Sequence, residues 1–197
     1  MSKVKSFHHG DLKRVIFNVA VSLLDQHGLN GFTKRAVARK AGVSHGAPVN
    51  HYKDRRALLT AIAQDQFEII LKEIEAALVK TPNNQKDRVK VFANTLMDFG
   101  FKYPHRYQLL WRSDLIDHDD PRLLTVMDNI YDQLCYEIEQ TAPKTAVDTD
   151  TIAVALWSML HGYVDIRLSG MFSSFDDKVT GKPRRQAMLD LFMNVFD

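Results

Sequence analysis

The fold is best judged from residues 33–53, which read TKRAVARKAGVSHGAPVNHYK. Thr33 is a residue type that begins helices, and Gly42 is one that ends them. Ser44 offers a second cap, which predicts another short helix from about residue 45 to residue 51, after a turn of about three residues. Two short helices joined by a glycine-bearing turn have the spacing of a helix-turn-helix, whose second helix enters the major groove of DNA.

The charge of the chain is unevenly distributed. The net charge is only +2, but residues 1–59 carry 11 Lys and Arg against 3 Asp, whereas residues 60–197 carry 15 basic and 21 acidic residues. Basic side chains that neutralise phosphates release condensed counterions, so a basic segment joined to an acidic body is typical of a protein that binds nucleic acid. A solvated charged surface without a partner is the alternative that charge alone leaves open.

Apolar residues recur at helical spacing through almost the whole chain. Such stripes lie at residues 12–24, 58–78, 89–103, 123–138, 152–168 and 188–196. Asp54 is expected to cap the second stripe, and either Asp148 or Thr149 the fifth. We therefore predict an all-α fold of about nine helices. A three-helix DNA-binding domain is predicted at residues 1–53 and a larger helical domain, for dimerisation and ligand binding, at residues 54–197.

Several classes of protein do not fit this sequence. It has no run of about 18 apolar residues, which a membrane-spanning helix needs. Its basic start is followed by His8, His9 and Asp11 rather than by the apolar core of a secretory signal. Cys135 is the single cysteine, so no disulfide can form within the chain, and we expect a cytoplasmic protein. The histidines lack the spacing of metal ligands, and we predict no metal, no cofactor and no membrane partner.

The predicted helix-turn-helix carries side chains that suit DNA. Val37 and Val43 would hold the two helices at a fixed angle. The polar residues would face outward as donors for phosphates and base edges; they are Lys34, Arg35, Ser44, His45, Asn50, His51 and Lys53.

Residues 28–59 resemble the TetR/AcrR family of transcriptional regulators. The resemblance is carried by Gly28, Thr33, Val37-Ala38, Ala41-Gly42-Val43-Ser44, Tyr52, Arg55 and Leu58-Leu59. The start of the chain, Phe7-His8-His9-Gly10-Asp11-Leu12, and the later Trp157, His161 and Gly162 resemble one branch of the family, named for a Trp-His-Gly motif in its C-terminal domain.

The resemblance implies roles for individual residues. Phosphate and positioning contacts are implied for Thr33, Lys34, Ser44, Tyr52, Lys53 and Arg55. Places near the bases are implied for Arg35, His45, Gly46, Ala47 and Asn50. Core packing is the alternative role for Tyr52. Many family members have a tyrosine where this chain has Val49, so a phosphate contact expected there would have to come from Asn50 or His51.

The sequence of the larger domain predicts two further sites. A mostly apolar ligand cavity is predicted, with ordinary core packing as the alternative, from Phe99, Tyr103, Trp111, Met127, Tyr131, Trp157 and His161. The segment 152–168 is apolar on two faces, which indicates either burial or contact with a second subunit. We predict a homodimer whose interface contains Leu160, Val164, Leu168, Met188, Phe192 and Val195.

The sequence therefore predicts a DNA-binding transcriptional regulator, a repressor rather than an enzyme. It would bind a near-palindromic, double-stranded operator as a homodimer and be released by a small apolar effector of unknown identity. Two alternatives remain. One is a nucleic-acid-binding protein that senses no ligand; the other is a helical enzyme in which His161 and Asp165, four residues apart, act as acid and base. A nucleophile motif and a Gly-rich phosphate loop are both missing from the sequence, which disfavours the enzyme.

Overall fold

The structure is a computed structural model that describes residues 9–81, 84–143, 146–173 and 175–196. These residues form nine α-helices and a short 3-10 helix, Asn194–Phe196. The helices are α1 (His9–Gly31), α2 (Lys34–Ala41), α3 (Ala47–His51), α4 (Arg55–Lys80), α5 (Gln85–Lys102), α6 (Pro104–Leu110), α7 (Pro121–Gln140), α8 (Thr149–Leu168) and α9 (Arg184–Met193). The prediction of an all-α fold is confirmed. Phe7, His8 and the side chains of residues 9–11 and 195 lie outside the described residues.

The chain divides into two compact units. Unit 1 contains the residues up to Glu68 together with Tyr103–Thr125, and unit 2 contains Ile69–Lys102 and the residues from Val126 onward. Unit 1 therefore includes α6 as well as the three N-terminal helices. The functional boundary between residues 53 and 54 stays a prediction. None of the described helices is long and apolar enough to cross a membrane.

Capping side chains fix where two of the helices begin. The carboxylate of Asp54 accepts a hydrogen bond from the backbone N–H of Ala57 at 2.8 Å, at the start of α4. Asp148 accepts one from the N–H of Thr151 at 2.7 Å, at the start of α8. Both carboxylates satisfy an N–H that has no partner within the first helical turn. The predicted cap of α4 is confirmed, and Asp148 rather than Thr149 caps α8.

An arginine fastens α6 to α1 within unit 1. The guanidinium of Arg106 donates two hydrogen bonds to the carboxylate of Asp25, at 2.8 and 2.6 Å, and a third to the side-chain oxygen of Gln66 at 3.1 Å. These bonds raise the pKa of Arg106, with the hydrogen bond to Asp25 as the largest cause. The bidentate geometry fixes the orientation of both partners, so α6 is held to the N-terminal helices at a defined angle.

The C-terminal end of α1 bends at Gly28 beside α6. Gly28 has φ 61° and ψ −168°, a backbone conformation that L side chains rarely adopt. A Cβ atom built at this position would lie 3.1 Å from Nδ1 of His105 on α6. Glycine is therefore required both for the bend and for the close approach of the imidazole.

Unit 2 has a buried ion pair of its own. Glu137 of α7 is 3% exposed and accepts two hydrogen bonds from the guanidinium of Arg88, at 2.7 and 2.6 Å. Arg88 also donates to the backbone carbonyl of Leu78 at 3.2 Å. One side chain of α5 thus contacts both α4 and α7, and the buried carboxylate is neutralised where it lies.

The bidentate pair of Arg106 predicts a measurable loss of stability. We expect Arg106→Ala to lower the free energy of unfolding by about 1–2 kcal/mol, because hydrogen bonds to a charged group are removed. Denaturant titration followed by circular dichroism measures this change. The control is Arg112→Ala, because Arg112 also binds a carboxylate twice, but an exposed one two residues away. Equal loss of stability in the two variants would contradict the role given to Arg106.

Candidate nucleic-acid interface

The helix α2 is closed at both ends by residues that the sequence indicated. The hydroxyl of Thr33 accepts a hydrogen bond from the N–H of Ala36 at 3.1 Å. At the other end Gly42 has φ 69°, the left-handed conformation that ends helices. The side chains of Val37 and Ala38 are buried, so α2 presents its basic residues outward. Arg35 and Arg39 are exposed, whereas Lys34 is half-buried.

The helix α3 begins later than predicted. It starts at Ala47, after Gly46, and no side chain caps it, so the prediction that Ser44 caps this helix is wrong. Ser44 instead accepts a hydrogen bond from the N–H of Ala47 through its backbone carbonyl, at 3.0 Å. The connection from α2 is accordingly longer than about three residues. Pro48 fits the first turn because proline needs no N–H partner there.

One face of α3 is buried and the other faces solvent. Ala47 is 8% exposed and Pro48 is also buried, so Ala47 lies against the protein rather than at the surface where a base would lie. His45, Gly46 and Asn50 are exposed. Four of the polar residues predicted to face outward around α3 therefore do so, namely Ser44, His45, Asn50 and Lys53, and His51 is half-buried.

Tyr52 packs into the protein at the end of α3. It is 9% exposed, and the ammonium group of Lys13 lies 5.6 Å from the centre of its ring. Burial raises the pKa of Tyr52, with a smaller effect of Asp65 in the same direction. The phenol stays protonated and remains a hydrogen-bond donor. The ring of Tyr52 packs into the protein, as one of its two predicted roles requires.

A groove of about 350 Å³ adjoins Tyr52 on the surface of unit 1. We call it the Tyr52 groove; it is lined by Lys13, His51, Tyr52, Lys53, Asp54, Arg56, Ala57, Thr60, Ala61, Gln64, Asp117, Asp120 and Arg122. Each of its three carboxylates has a partner: Asp54 caps α4. Asp117 lies 3.7 Å from Arg56, and Asp120 lies 3.8 Å from Arg122. Basic side chains from α1 and from the end of α3 therefore border the groove. Lys13 was not among the predicted residues, because the apolar stripe of α1 does not indicate which polar side chains beside it face a groove.

Arg55 turns inward rather than toward solvent. Its guanidinium donates to the backbone carbonyls of Phe32 at 3.1 Å and Leu29 at 3.0 Å, and its cationic carbon lies 5.7 Å from the ring centre of Phe32. These carbonyls belong to the end of α1 and the connection to α2. Arg55 is therefore a positioning residue that holds the start of α4 against the helix-turn-helix, while the phosphate contact predicted for it stays a prediction.

Lys40 is also engaged within unit 1. Its ammonium group donates to the hydroxyl of Ser22 at 3.1 Å and to the side-chain oxygen of Gln26 at 2.7 Å. Both partners lie on α1. This lysine contributes to the positive charge of the segment 1–59 but is tied to the neighbouring helix.

The predicted ligand residues fall into both units. Trp111 and Tyr103 belong to unit 1. The indole of Trp111 packs edge-on against the rings of Phe67 and Tyr107, at 5.7 and 5.9 Å, and Tyr103 lies beneath the guanidinium of Arg106. These contacts make both residues part of the packing of unit 1. The remaining five predicted residues belong to unit 2.

His161 lies on α8 beside an aromatic ring. The centres of its imidazole and of the indole of Trp157 are 5.4 Å apart. Burial lowers the pKa of His161 to about 4, and the smaller effect of Asp165 opposes this shift. The imidazole is therefore neutral near pH 7. In the same unit, burial and a hydrogen bond to Asp150 raise the pKa of Tyr131 to about 12.

The residues predicted for the dimer interface differ from the large apolar residues that are exposed in unit 2. Leu160 and Val164 are 2% and 0% exposed, so both belong to the core of a single chain and their prediction as interface residues is corrected. Leu168, Met188 and Phe192 are half-buried. Large apolar side chains are exposed instead at Val154, Ile166, Met171, Phe172, Phe175, Val179 and Leu191. Helical spacing alone predicted an apolar face but could not tell which side of α8 packs inside the chain.

Metal binding finds no support in the part of the chain that the structure describes. No three or more His, Cys, Asp or Glu side chains lie together there in an arrangement that could hold a metal ion.

Comparison with known proteins identifies both parts of the chain. Residues 16–62 match the family described as bacterial regulatory proteins, tetR family, and residues 89–189 match the tetracyclin repressor-like C-terminal domain. A search of curated proteins found no match.

Solved structures share the fold over almost the whole chain. A protein of unknown function from Rhodococcus sp. RHA1 is similar with 25% identity and a TM-score of 0.78, over 96% of this chain and 97% of that one. A putative TetR-family transcriptional regulator from Vibrio parahaemolyticus has 14% identity and a TM-score of 0.65, over 93% and 97% of the two chains. The fatty acid degradation regulator FadR from Bacillus halodurans has 14% identity and a TM-score of 0.66, over 98% and 96%.

The match to the C-terminal domain spans half of the chain, and the match to the N-terminal family covers α2, α3 and the connection between them. The resemblance inferred from residues 28–59 is confirmed, while assignment to the branch named for the Trp-His-Gly motif stays a prediction. The protein is a DNA-binding transcriptional regulator that belongs to the TetR family.

Proposed function

We propose that this regulator is a homodimeric repressor that reads a near-palindromic operator with α3 and the residues on either side of it. The observation that carries the proposal is the exposure of His45, Asn50 and Lys53 around a helix whose other face is buried. A two-fold dimer would present two such helices to half-sites about one helical turn, roughly 34–36 Å, apart.

Two groups of contacts follow from the chemistry of the side chains. His45 and Asn50 carry groups that hydrogen-bond to base edges, and Arg35 and Gly46 are proposed to lie near the bases with them. Phosphate contacts are proposed for Thr33, Lys34, Ser44, His51, Tyr52 and Lys53. The basic border of the Tyr52 groove supports this second group and adds Lys13 to it.

The dimer proposal is supported by the apolar surface of unit 2. Val154 and Ile166 on α8 and Leu191 on α9 are exposed, and Leu191 is 71% exposed. The connection between these helices adds Met171, Phe172, Phe175 and Val179. Large apolar side chains that are exposed together in one patch are more typical of an interface than of a surface in contact with water. A second copy of the chain would cover it by two-fold symmetry.

Effector sensing is proposed for unit 2. Phe99, Met127, Tyr131, Trp157 and His161 combine apolar area with a few polar groups, as ligand sites commonly do. The neutral imidazole of His161 can donate or accept one hydrogen bond without the cost of burying a charge. An effector would release DNA only if it bound the DNA-free and DNA-bound conformations with different affinities.

Loss of a base contact and loss of a phosphate contact should have different effects in binding experiments. On a duplex enriched from a random pool by the wild type, we expect His45→Ala and Asn50→Ala to cost about 1–3 kcal/mol per base contact and to relax the ranking of operator variants. Lys53→Ala should weaken binding to all sequences and reduce the salt slope by about 1 for each phosphate that is no longer neutralised. Fluorescence anisotropy across salt concentrations measures both effects.

The matched control for Lys53→Ala is Lys40→Ala, which removes the same charge from a lysine already bonded to Ser22 and Gln26. Its salt slope should stay close to that of the wild type. An unchanged ranking of operator variants after both His45→Ala and Asn50→Ala would show that α3 does not read bases.

Dimerisation should depend on the exposed apolar residues rather than on the buried ones. We expect Leu191→Arg to shift the protein toward monomers in sedimentation equilibrium, because an unpaired charge would be buried in the interface. Val79→Arg is the control, since Val79 is 87% exposed in the same unit but lies on α4. A Leu191→Arg protein that remains dimeric and binds DNA as the wild type does would exclude α9 from the interface.

Effector sensing predicts thermodynamic linkage. The uncharged apolar dye N-phenyl-1-naphthylamine serves as a probe, and its Kd is measured with and without operator DNA. We expect the two values to differ, and the dye to change the affinity for DNA by the same factor. Equal dye affinity with and without operator DNA would exclude the release of DNA by apolar ligands of this class.

A further inference from the structure

The outward face of α3 contains an apolar side chain. In the described part of unit 1, Val49 and Leu124 are the large apolar residues left exposed, and Val49 is 45% exposed. Its neighbours Ala47 and Pro48 are buried. Val49 thus lies beside exposed polar residues such as Asn50, where an apolar group forms no favourable contact with water.

The position of Val49 on the helix gives it neighbours on the same face. Gly46, Val49 and Asn50 follow the i, i+3, i+4 spacing that places side chains on one side of a helix. All three are exposed. Whatever molecule Asn50 contacts in the groove of DNA will therefore lie within reach of Val49.

Gly46 leaves open space at the start of α3. Its φ of −80° is one that any residue adopts, and a Cβ atom built there would meet nothing within 4 Å. Neither backbone strain nor packing inside the protein requires glycine at this position. The missing side chain does leave room for another molecule to approach the start of α3 closely.

The major groove offers one apolar group to such a face. Thymine carries a 5-methyl group there, whereas the other features of the base edges are hydrogen-bond donors and acceptors. A valine placed on a donor or acceptor would remove it from water without replacing its hydrogen bond. Placed on the methyl group, it removes apolar area from water on both sides. Asn50 in turn suits adenine, through N6 and N7.

We propose that Val49 reads sequence: its side chain packs against the 5-methyl group of a thymine in each half-site, beside the base that Asn50 contacts. The proposal rests on the proposed reading of DNA by α3. It also gives a function to the position where the family resemblance leads one to expect a phosphate contact from tyrosine.

The test removes the two methyl-bearing groups one at a time. In the duplex enriched by the wild type, each thymine pair related by symmetry is replaced by deoxyuridine, which deletes the 5-methyl group and nothing else. One such pair should weaken wild-type binding by about fourfold per half-site and about fifteenfold for both, the value of one buried methyl group each. For Val49→Ala the same replacement should change the affinity by less than about twofold.

Leu124→Ala is the matched control, because it truncates another large apolar residue that is exposed in unit 1 and should keep the full preference for thymine over uracil. Circular dichroism verifies that all variants are folded. The inference is overturned if Val49→Ala discriminates thymine from uracil as well as the wild type does, or if no thymine of the enriched duplex matters. If the wild type enriches no sequence, or if His45→Ala and Asn50→Ala leave its ranking unchanged, then the reading of DNA by α3 fails first and this inference fails with it.

Discussion

The two hydrogen bonds from Arg55 to the carbonyls of Phe32 and Leu29 are the constraint on which the rest of unit 1 depends. The helix α3 has only five residues, and helices shorter than about 12 residues are marginal in water on their own. Its position therefore has to come from its surroundings. Ala47 and Pro48 bury one face, Tyr52 packs at its end, and Arg55 fixes the start of α4 to the connection before α2. Arg55 thus fixes the orientation of its neighbours through backbone carbonyls.

Charge and availability for DNA are different quantities in this protein. Residues 1–59 are strongly basic, yet two of their cationic groups already form hydrogen bonds within the protein. Lys40 is bonded to α1, and Arg55 is bonded to backbone carbonyls. A count of charges therefore overstates the number of donors that are free to bind phosphates. Positive charge that is fixed internally still raises the potential near the surface and steers association. The specific contacts proposed above would come from the smaller set of exposed side chains around α2 and α3. This division separates the affinity of the protein for any duplex from its preference for one sequence.

Much of the fold could be predicted because its signals are local. Apolar spacing gave the helices, and Thr33, Gly42, Asp54 and Asp148 act where capping chemistry places them. Ser44 did not follow its propensity, because the connection continues to Gly46 before α3 begins. What local pattern could not supply is long-range contact. It did not reveal that Arg106 fastens α6 to α1, that Leu160 lies in the core of unit 2, or which donors are already engaged.

The positions of the two tryptophans allow the two units to be followed separately by fluorescence. The chain has two tryptophans, and one lies in each compact unit: Trp111 packs against Phe67 and Tyr107 in unit 1, and Trp157 lies beside His161 in unit 2. Replacing either indole by phenylalanine leaves a single tryptophan, whose selectively excited emission reports on one unit. Fluorescence melting curves of the two single-tryptophan proteins would coincide if the units unfold as one cooperative block. The division between the units falls within α4, between Glu68 and Ile69. The two melting curves would have different midpoint temperatures if one part of α4 can unfold while the other part stays helical.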